Sequence, residues 1–327
     1  MKAKFMVLTI LLFGSLNAFS SAQIVCKLDE TGEVSVPIPT RTFSAKKSVN
    51  PDVSMNFKSA LFSISKSSVG LKANAPFYNL YLNESIDVAP GENKFWNLAG
   101  NTEIIDELDN QIEVDVQTAM NFKDCNYTKS YYLPFLGQSV KANEYYVIAD
   151  GGIYAKGISI EAQAVNSSGI TIYIPAQEVL YTPSKPVCYF PLTYDGITHT
   201  IPPYTRTIIA KVSGASALGI QDGTPVSYSV TFNDNYKVLA WGGLQLIDNE
   251  KPVNALLIQT ESKTIGTISI NGAKVPQSVL SHLKMAQDSA SVSVNFSFRN
   301  MTYPDNVAEF GLDGDKVTYL TTIKTIK

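Results

Sequence analysis

The sequence predicts an all-β protein: an antiparallel β-sandwich, or two of them, with at most one or two short helices. Three observations carry that expectation. Apolar and polar residues alternate in runs of strand length, turn dipeptides such as Asp150-Gly151 and Asn271-Gly272 separate the runs, and helical periodicity is scarce.

The chain begins with Lys2 and Lys4, an apolar stretch Phe5–Phe13 and the small-x-small triplet Ser20-Ser21-Ala22. That order predicts a cleaved export signal over residues 1–22. The apolar run is shorter than the ~20 residues a membrane-spanning helix needs. Cys26 follows the bulky Val25, where a bacterial lipobox has a small residue, so lipid anchoring is not expected. No later segment is apolar for long enough to span, and the mature chain is expected to have no transmembrane span.

Residues 23–140 read as an N-terminal β-rich domain, with strands expected at Val53–Ile64 and Phe77–Leu82. The window Glu103–Asp115 carries many carboxylates and reads as a solvated acidic loop or helix. Pro134, Gly137 and Gln138-Ser139 punctuate the pattern and place a soft boundary near 130–142. Residues 141–327 read as a C-terminal β-sandwich domain. Tyr145–Ala149 runs into Asp150-Gly151-Gly152 and resumes at Ile153, as a hairpin does. Ile158–Ala164 and Ile170–Ile174 alternate on either side of Asn166–Gly169. Thr224–Phe232 is strand-like, Asn233-Asp234-Asn235 reads as a polar turn, and Tyr236–Ile247 follows. Val253–Thr260 and Thr267–Ile270 lead to the Asn271-Gly272 hairpin cue, Val292–Phe298 alternates, and Ala308–Leu312 and Lys316–Ile323 flank Asp313-Gly314-Asp315. One short helix is expected at Pro276–Gln287, where Val279, Leu280 and Leu283 share a face.

Composition sets limits on function. Hydrophobic content of 45% with 17% charged residues suits a folded chain rather than a disordered one. Loss of Lys2 and Lys4 with the leader takes the formal charge from −3 to −5, and basic clusters such as Lys46-Lys47 are short. Nucleic acid is therefore not an expected partner. Three cysteines, Cys26, Cys125 and Cys188, allow one disulfide and one thiol, and spacing does not settle the pairing.

Catalytic vocabulary is thin. The two histidines, His199 and His282, lie beside no nucleophile motif, and no G-x-S-x-G elbow occurs. Asp313-Gly314-Asp315 and Asn233-Asp234-Asn235 offer oxygens for calcium but lack the further ligands of an EF-hand loop, so a turn is the plainer reading of each. Paired carboxylates for glycoside hydrolysis can come from distant positions, and no particular pair is indicated. No catalytic, cofactor-binding or metal residue is assigned, and no cofactor is expected. Tyr127, Tyr131, Tyr132, Tyr145, Tyr146 and Tyr154 crowd around the boundary; they suit stacking on sugars or anchoring a protein, and a β-sheet core is the plainer reading.

Several pieces downstream of Glu144 follow in a familiar order: the hairpin Tyr145–Gly157, Cys188-Tyr189-Phe190-Pro191-Leu192-Thr193-Tyr194-Asp195-Gly196, Gly242–Leu246 and Val253–Ile258, with Lys94–Leu98 upstream. The segment Phe190–Gly196 is similar to an "FPLTYG" element, interrupted by Asp195. In this order the chain resembles a group of uncharacterised secreted all-β proteins of Bacteroidetes bacteria. The resemblance implies fold and compartment; the group supplies no established activity.

The expectation is an exported, non-catalytic envelope or surface protein acting by binding or assembly. Its address is periplasmic, outer-surface or extracellular, and its partner an envelope or surface protein, or a glycan. The alternative is a carbohydrate-binding or carbohydrate-active β-sandwich protein. A third reading, a fimbrial or adhesin subunit, needs strand donation between sandwiches.

Overall fold

The structure is a computed structural model that describes residues 27–28, 34–35, 63–64, 77–82, 86–99, 102–108, 112–114, 121–135, 138–167, 169–246, 251–275, 289–301, 305–313 and 316–323. The expected leader, Cys26, His282 and the expected helix at 276–287 lie outside the described residues. Strands dominate. In chain order they are β1 (Lys27–Leu28), β2 (Val34–Ser35), β3 (Ser63–Ile64), β4 (Phe77–Leu82), β5 (Gly91–Asn97), β6 (Thr102–Leu108), β7 (Ile112–Val114) and β8 (Tyr127–Phe135). Then come β9 (Gln138–Ala149), β10 (Gly152–Ile160), β11 (Gln163–Ser167), β12 (Ile170–Ile174), β13 (Gln177–Tyr189), β14 (Leu192–Thr193), β15 (Thr198–Thr200) and β16 (Tyr204–Ser213). The last are β17 (Thr224–Gln245), β18 (Val253–Ile270), β19 (Ala273–Lys274), β20 (Ser289–Arg299), β21 (Ala308–Asp313) and β22 (Lys316–Ile323). Among the described residues the one helical element is the 3₁₀ turn Ser216–Leu218.

The expected all-β, sandwich-like architecture is present, as a nearly all-antiparallel open sheet. Its ladders run β7–β8–β9–β10–β13 and then β16–β17–β18–β20–β21–β22–β4–β6. The two segments meet through a single bridge, Thr182 with Thr205. A join that narrow lets the sheet fold over, so that side chains of the first segment pack against those of the second. The hairpin β11–β12 extends β16, and β5 lies parallel to the end of β17.

Local chemistry explains the elements. β16 alternates without a fault, with Tyr204, Arg206, Ile208, Ala210 and Val212 inward. The β18–β19 hairpin turns on Asn271 (φ 51°) and Gly272 (φ 76°), the positive angles an Asn-Gly type I′ turn requires. Gly242 is required for space. A Cβ there would lie 1.9 Å from the Lys94 carbonyl oxygen, so only glycine lets β5 approach β17. Ladders cross residue 140 at β8–β9, β5–β17 and β4–β22, and one apolar core contains Ile86, Trp96, Tyr127, Val230 and Phe298 together. Phe122 stacks on Tyr145 at 4.2 Å in a small satellite cluster.

Two expectations are corrected. Asn233-Asp234-Asn235 is no turn: β17 runs straight through it from Thr224 to Gln245. Asp234 points inward and is 2% exposed, which the strand tolerates because its carboxylate finds donors inside the fold. The acidic window 103–115 is neither a loop nor a helix throughout, since β6 and β7 occupy much of it, paired with β4 and β8. Ladder pairing there overrides the low strand propensity of Asp and Glu.

Candidate functional site

The most unusual feature of the described residues is a layer of charge between the two sheet segments. β8 places Lys129 inward between Tyr127 and Tyr131, and directly across the ladder β9 presents Glu144. Opposite charges at paired positions attract. Two pairs along, on the same face, Tyr127 stacks on Tyr146 at 4.6 Å and 2°. β16 contributes Tyr204 and Arg206, β17 Asp234, β20 Arg299, β21 Glu309, and the segment before β21 Asp305; all are buried.

Partners arrange these groups into three clusters. In the first, Glu144 accepts a hydrogen bond from Tyr146 and another from Tyr181 (2.6 Å). Burial, reinforced by the Glu144 charge, raises the pKa of both phenols well above the ordinary tyrosine value, so they stay protonated and donate. In the second, Asp234 accepts from Tyr204 (3.2 Å) and from Ser262 (2.5 Å), which sits opposite it on β18. Arg206 lies near both clusters, with Nη1 3.3 Å from the Tyr131 hydroxyl and its guanidinium 5.4 Å from the centre of the Phe232 ring.

The third cluster is ionic. Lys129 Nζ lies 2.8 Å from Asp305 Oδ2 and 3.8 Å from Glu309 Oε1. Arg299 Nη2 is 3.6 Å from Asp305 Oδ1, which also accepts the backbone N–H of Asn306 at 2.7 Å. The Asn306 side chain accepts from Arg299 Nε (3.2 Å) and donates to Glu309 (2.6 Å). Burial alone would raise the Asp305 carboxyl, but Lys129 and Arg299 outweigh it and hold it below its ordinary range. Burial wins at Glu309, whose carboxyl is pushed up. For Lys129, burial favours the neutral amine, and the Asp305 and Glu309 charges more than reverse that.

These groups border a cavity of about 110 Å³ whose walls include Lys129, Glu144, Asp234, Tyr236, Asp305 and Glu309. That volume holds several waters and lies below the ~300–1,000 Å³ of most organic-ligand pockets.

The residues weighed in the sequence fall in different places. Of the tyrosine group, Tyr127, Tyr131, Tyr145 and Tyr146 are buried, and all but Tyr145 flank the charge layer. His199 lies on β15, half-buried, stacked on Tyr236 at 4.8 Å with Nε2 3.3 Å from Asp195 Oδ2. Asp313 sits where β21 turns into β22. Cys125 and Cys188 are both free thiols. Among the described residues no group of three or more His, Cys, Asp or Glu side chains is placed to hold a metal ion, and no helix is long and apolar enough to cross a membrane. Sequence reasoning missed Lys129, Arg206, Arg299 and Asp305, since single charges inside strands or in the segments that join them carry no motif. The one available signal was their inward parity, as at Arg206 between Tyr204 and Ile208. No family model, curated protein or solved structure matches the chain.

Proposed function

We propose that the protein is an exported, non-catalytic component of a cell envelope or surface that acts by binding or assembly. The observation that carries this reading is the use made of the buried carboxylates. Glu144, Asp234, Asp305 and Glu309 are each engaged by a tyrosine, serine, lysine or asparagine of the fold, around a cavity small for an organic substrate. Groups tied up in this way serve specificity of folding more readily than turnover. Export rests on the Lys2, Lys4 and Phe5–Phe13 leader pattern. The outer face of β18 and β20 adds a mixed surface, with Ile265, Val292 and Val294 exposed beside Lys263 and Glu261.

The test is capture of partners by the tagged mature chain from its own cell envelope, with Val292→Lys as the comparison. A stoichiometric envelope protein held by the parent and lost from the variant supports assembly through this face. Turnover of a glycan by the purified protein overturns the reading.

A second reading, carbohydrate recognition, is favoured by one observation: Glu144, Asp234, Tyr146 and Tyr236 line the same cavity. It predicts glycan-array binding that Glu144→Gln and Asp234→Asn both abolish.

A further inference from the structure

We propose that Lys129 and Asp305 are joined by an intramolecular isopeptide bond, formed autocatalytically with Glu309 as the proton shuttle. Three features of the third cluster point to it. The first is distance. Nζ lies 2.8 Å from Oδ2, and with a carbon–oxygen bond of about 1.2 Å the amine is within about 4 Å of Cγ, close to the ~3–3.5 Å of a near-attack pair. The second is the state of the carboxyl group. Oδ1 is anchored by the Asn306 N–H and faces Arg299, whereas Oδ2 accepts no aligned hydrogen bond. Oδ1 is thus set to become the amide carbonyl oxygen and Oδ2 the leaving oxygen. The third is burial. The Lys129, Asp305 and Glu309 side chains are 4%, 5% and 6% exposed, so the water that reaches the amine is limited to what the small adjoining cavity holds.

The chemistry balances without a cofactor or oxidant. In the resting ion pair Lys129 is an ammonium and Asp305 a carboxylate. A proton passes from Nζ to the Asp305 carboxyl, giving a minor neutral pair that the buried surroundings favour more than bulk water would. The nitrogen lone pair then attacks Cγ, forming the C–N bond and a tetrahedral carbon whose Oδ1 faces the Asn306 N–H and Arg299. Glu309 takes the second proton from nitrogen and returns one to the Oδ2 hydroxyl. The C–Oδ2 bond breaks and water departs into the adjoining cavity. Ammonium and carboxylate have become amide and water. The reaction removes two buried charges, whose desolvation is costly, and fixed proximity supplies the large effective concentration that condensation needs. The product is a covalent tie between β8 and the segment leading into β21, in a fold whose Cys125 and Cys188 are both free thiols.

The test is peptide mapping of the purified full chain by tandem mass spectrometry. The expected result is a branched peptide joining Lys129 to Asp305, about 18 Da lighter than its two parts together because one water is lost. Lys129→Arg and Asp305→Ala remove the branched peptide, and Glu309→Gln, checked as folded by circular dichroism, slows or abolishes its formation. Unmodified Lys129 and Asp305 peptides after prolonged incubation of folded protein overturn the proposal. So does the same mass loss confined to a succinimide at Asp305-Asn306. A branched peptide that forms equally fast in Glu309→Gln overturns the role given to Glu309.

Discussion

Replacing Asp234 by alanine isolates what a buried carboxylate does inside a long strand. The change leaves the hydroxyls of Tyr204 and Ser262 without their acceptor, in a place where Asp234 itself is 2% exposed. A buried polar group stripped of its partner costs about 1–3 kcal/mol, so two of them set a loss of roughly 2–6 kcal/mol. That is a large share of the ~5–15 kcal/mol by which folded proteins are stable. Asp234→Asn keeps an acceptor oxygen and is expected to cost about 1–2 kcal/mol. The decisive comparison is the triple variant Asp234→Leu, Tyr204→Phe, Ser262→Ala. It removes donors and acceptor together and is expected to be more stable than Asp234→Ala alone. Equilibrium urea unfolding reads the series, with unchanged slopes confirming that midpoints report stability. A single variant costing under about 1 kcal/mol, or a triple variant costing the sum of its parts, refutes the reasoning.

Three further outcomes follow from the same structure. Gly242→Ala forces a Cβ against the Lys94 backbone and should detach β5, costing about 1–3 kcal/mol or more and accelerating hydrogen exchange of the amides in 91–97 while β16 stays protected. Burial pushes the Cys125 thiol up to about 11, so iodoacetamide at pH 8 should alkylate it roughly a hundredfold more slowly than an unperturbed thiol, with the rate still climbing above pH 9; a rate matching free cysteine contradicts this. Tyr181→Phe and Tyr146→Phe each strip one donor from Glu144, and thermal unfolding should show the double variant losing more than the two single losses combined, because only the last removal leaves that carboxylate without a phenol partner.

Much of the fold was legible because hairpin chemistry is local. Asp150-Gly151 and Asn271-Gly272 sit where the dipeptides place them, and β4 matches Phe77–Leu82 residue for residue. Errors arose where a distant partner decides the outcome. Asn233-Asp234-Asn235 has the composition of a turn, and only Tyr204 and Ser262, brought in by β16 and β18, make Asp234 acceptable within a strand. The charge layer was hidden for the same reason. Lys129 and Asp305 are remote in sequence, and nothing at either position announces the other. The tyrosine crowding at 127–146 was visible, yet its role as a wall of donors depends on carboxylates that only the folded sheet brings near.

The pairing of β4 with β22 has a temporal consequence. A strand begun at Phe77 meets β6 early on one edge, but its other edge finds a partner only when Lys316–Ile323 has been synthesised, and β5 waits for the far end of β17. Sheets closed by such remote strands fold slowly, since the entropy of joining distant segments must be met before any contact rewards it. For a chain with the exported role proposed above, that delay is useful. With the sheet incomplete until its last strand is made, the nascent polypeptide would stay threadable through a narrow translocation channel.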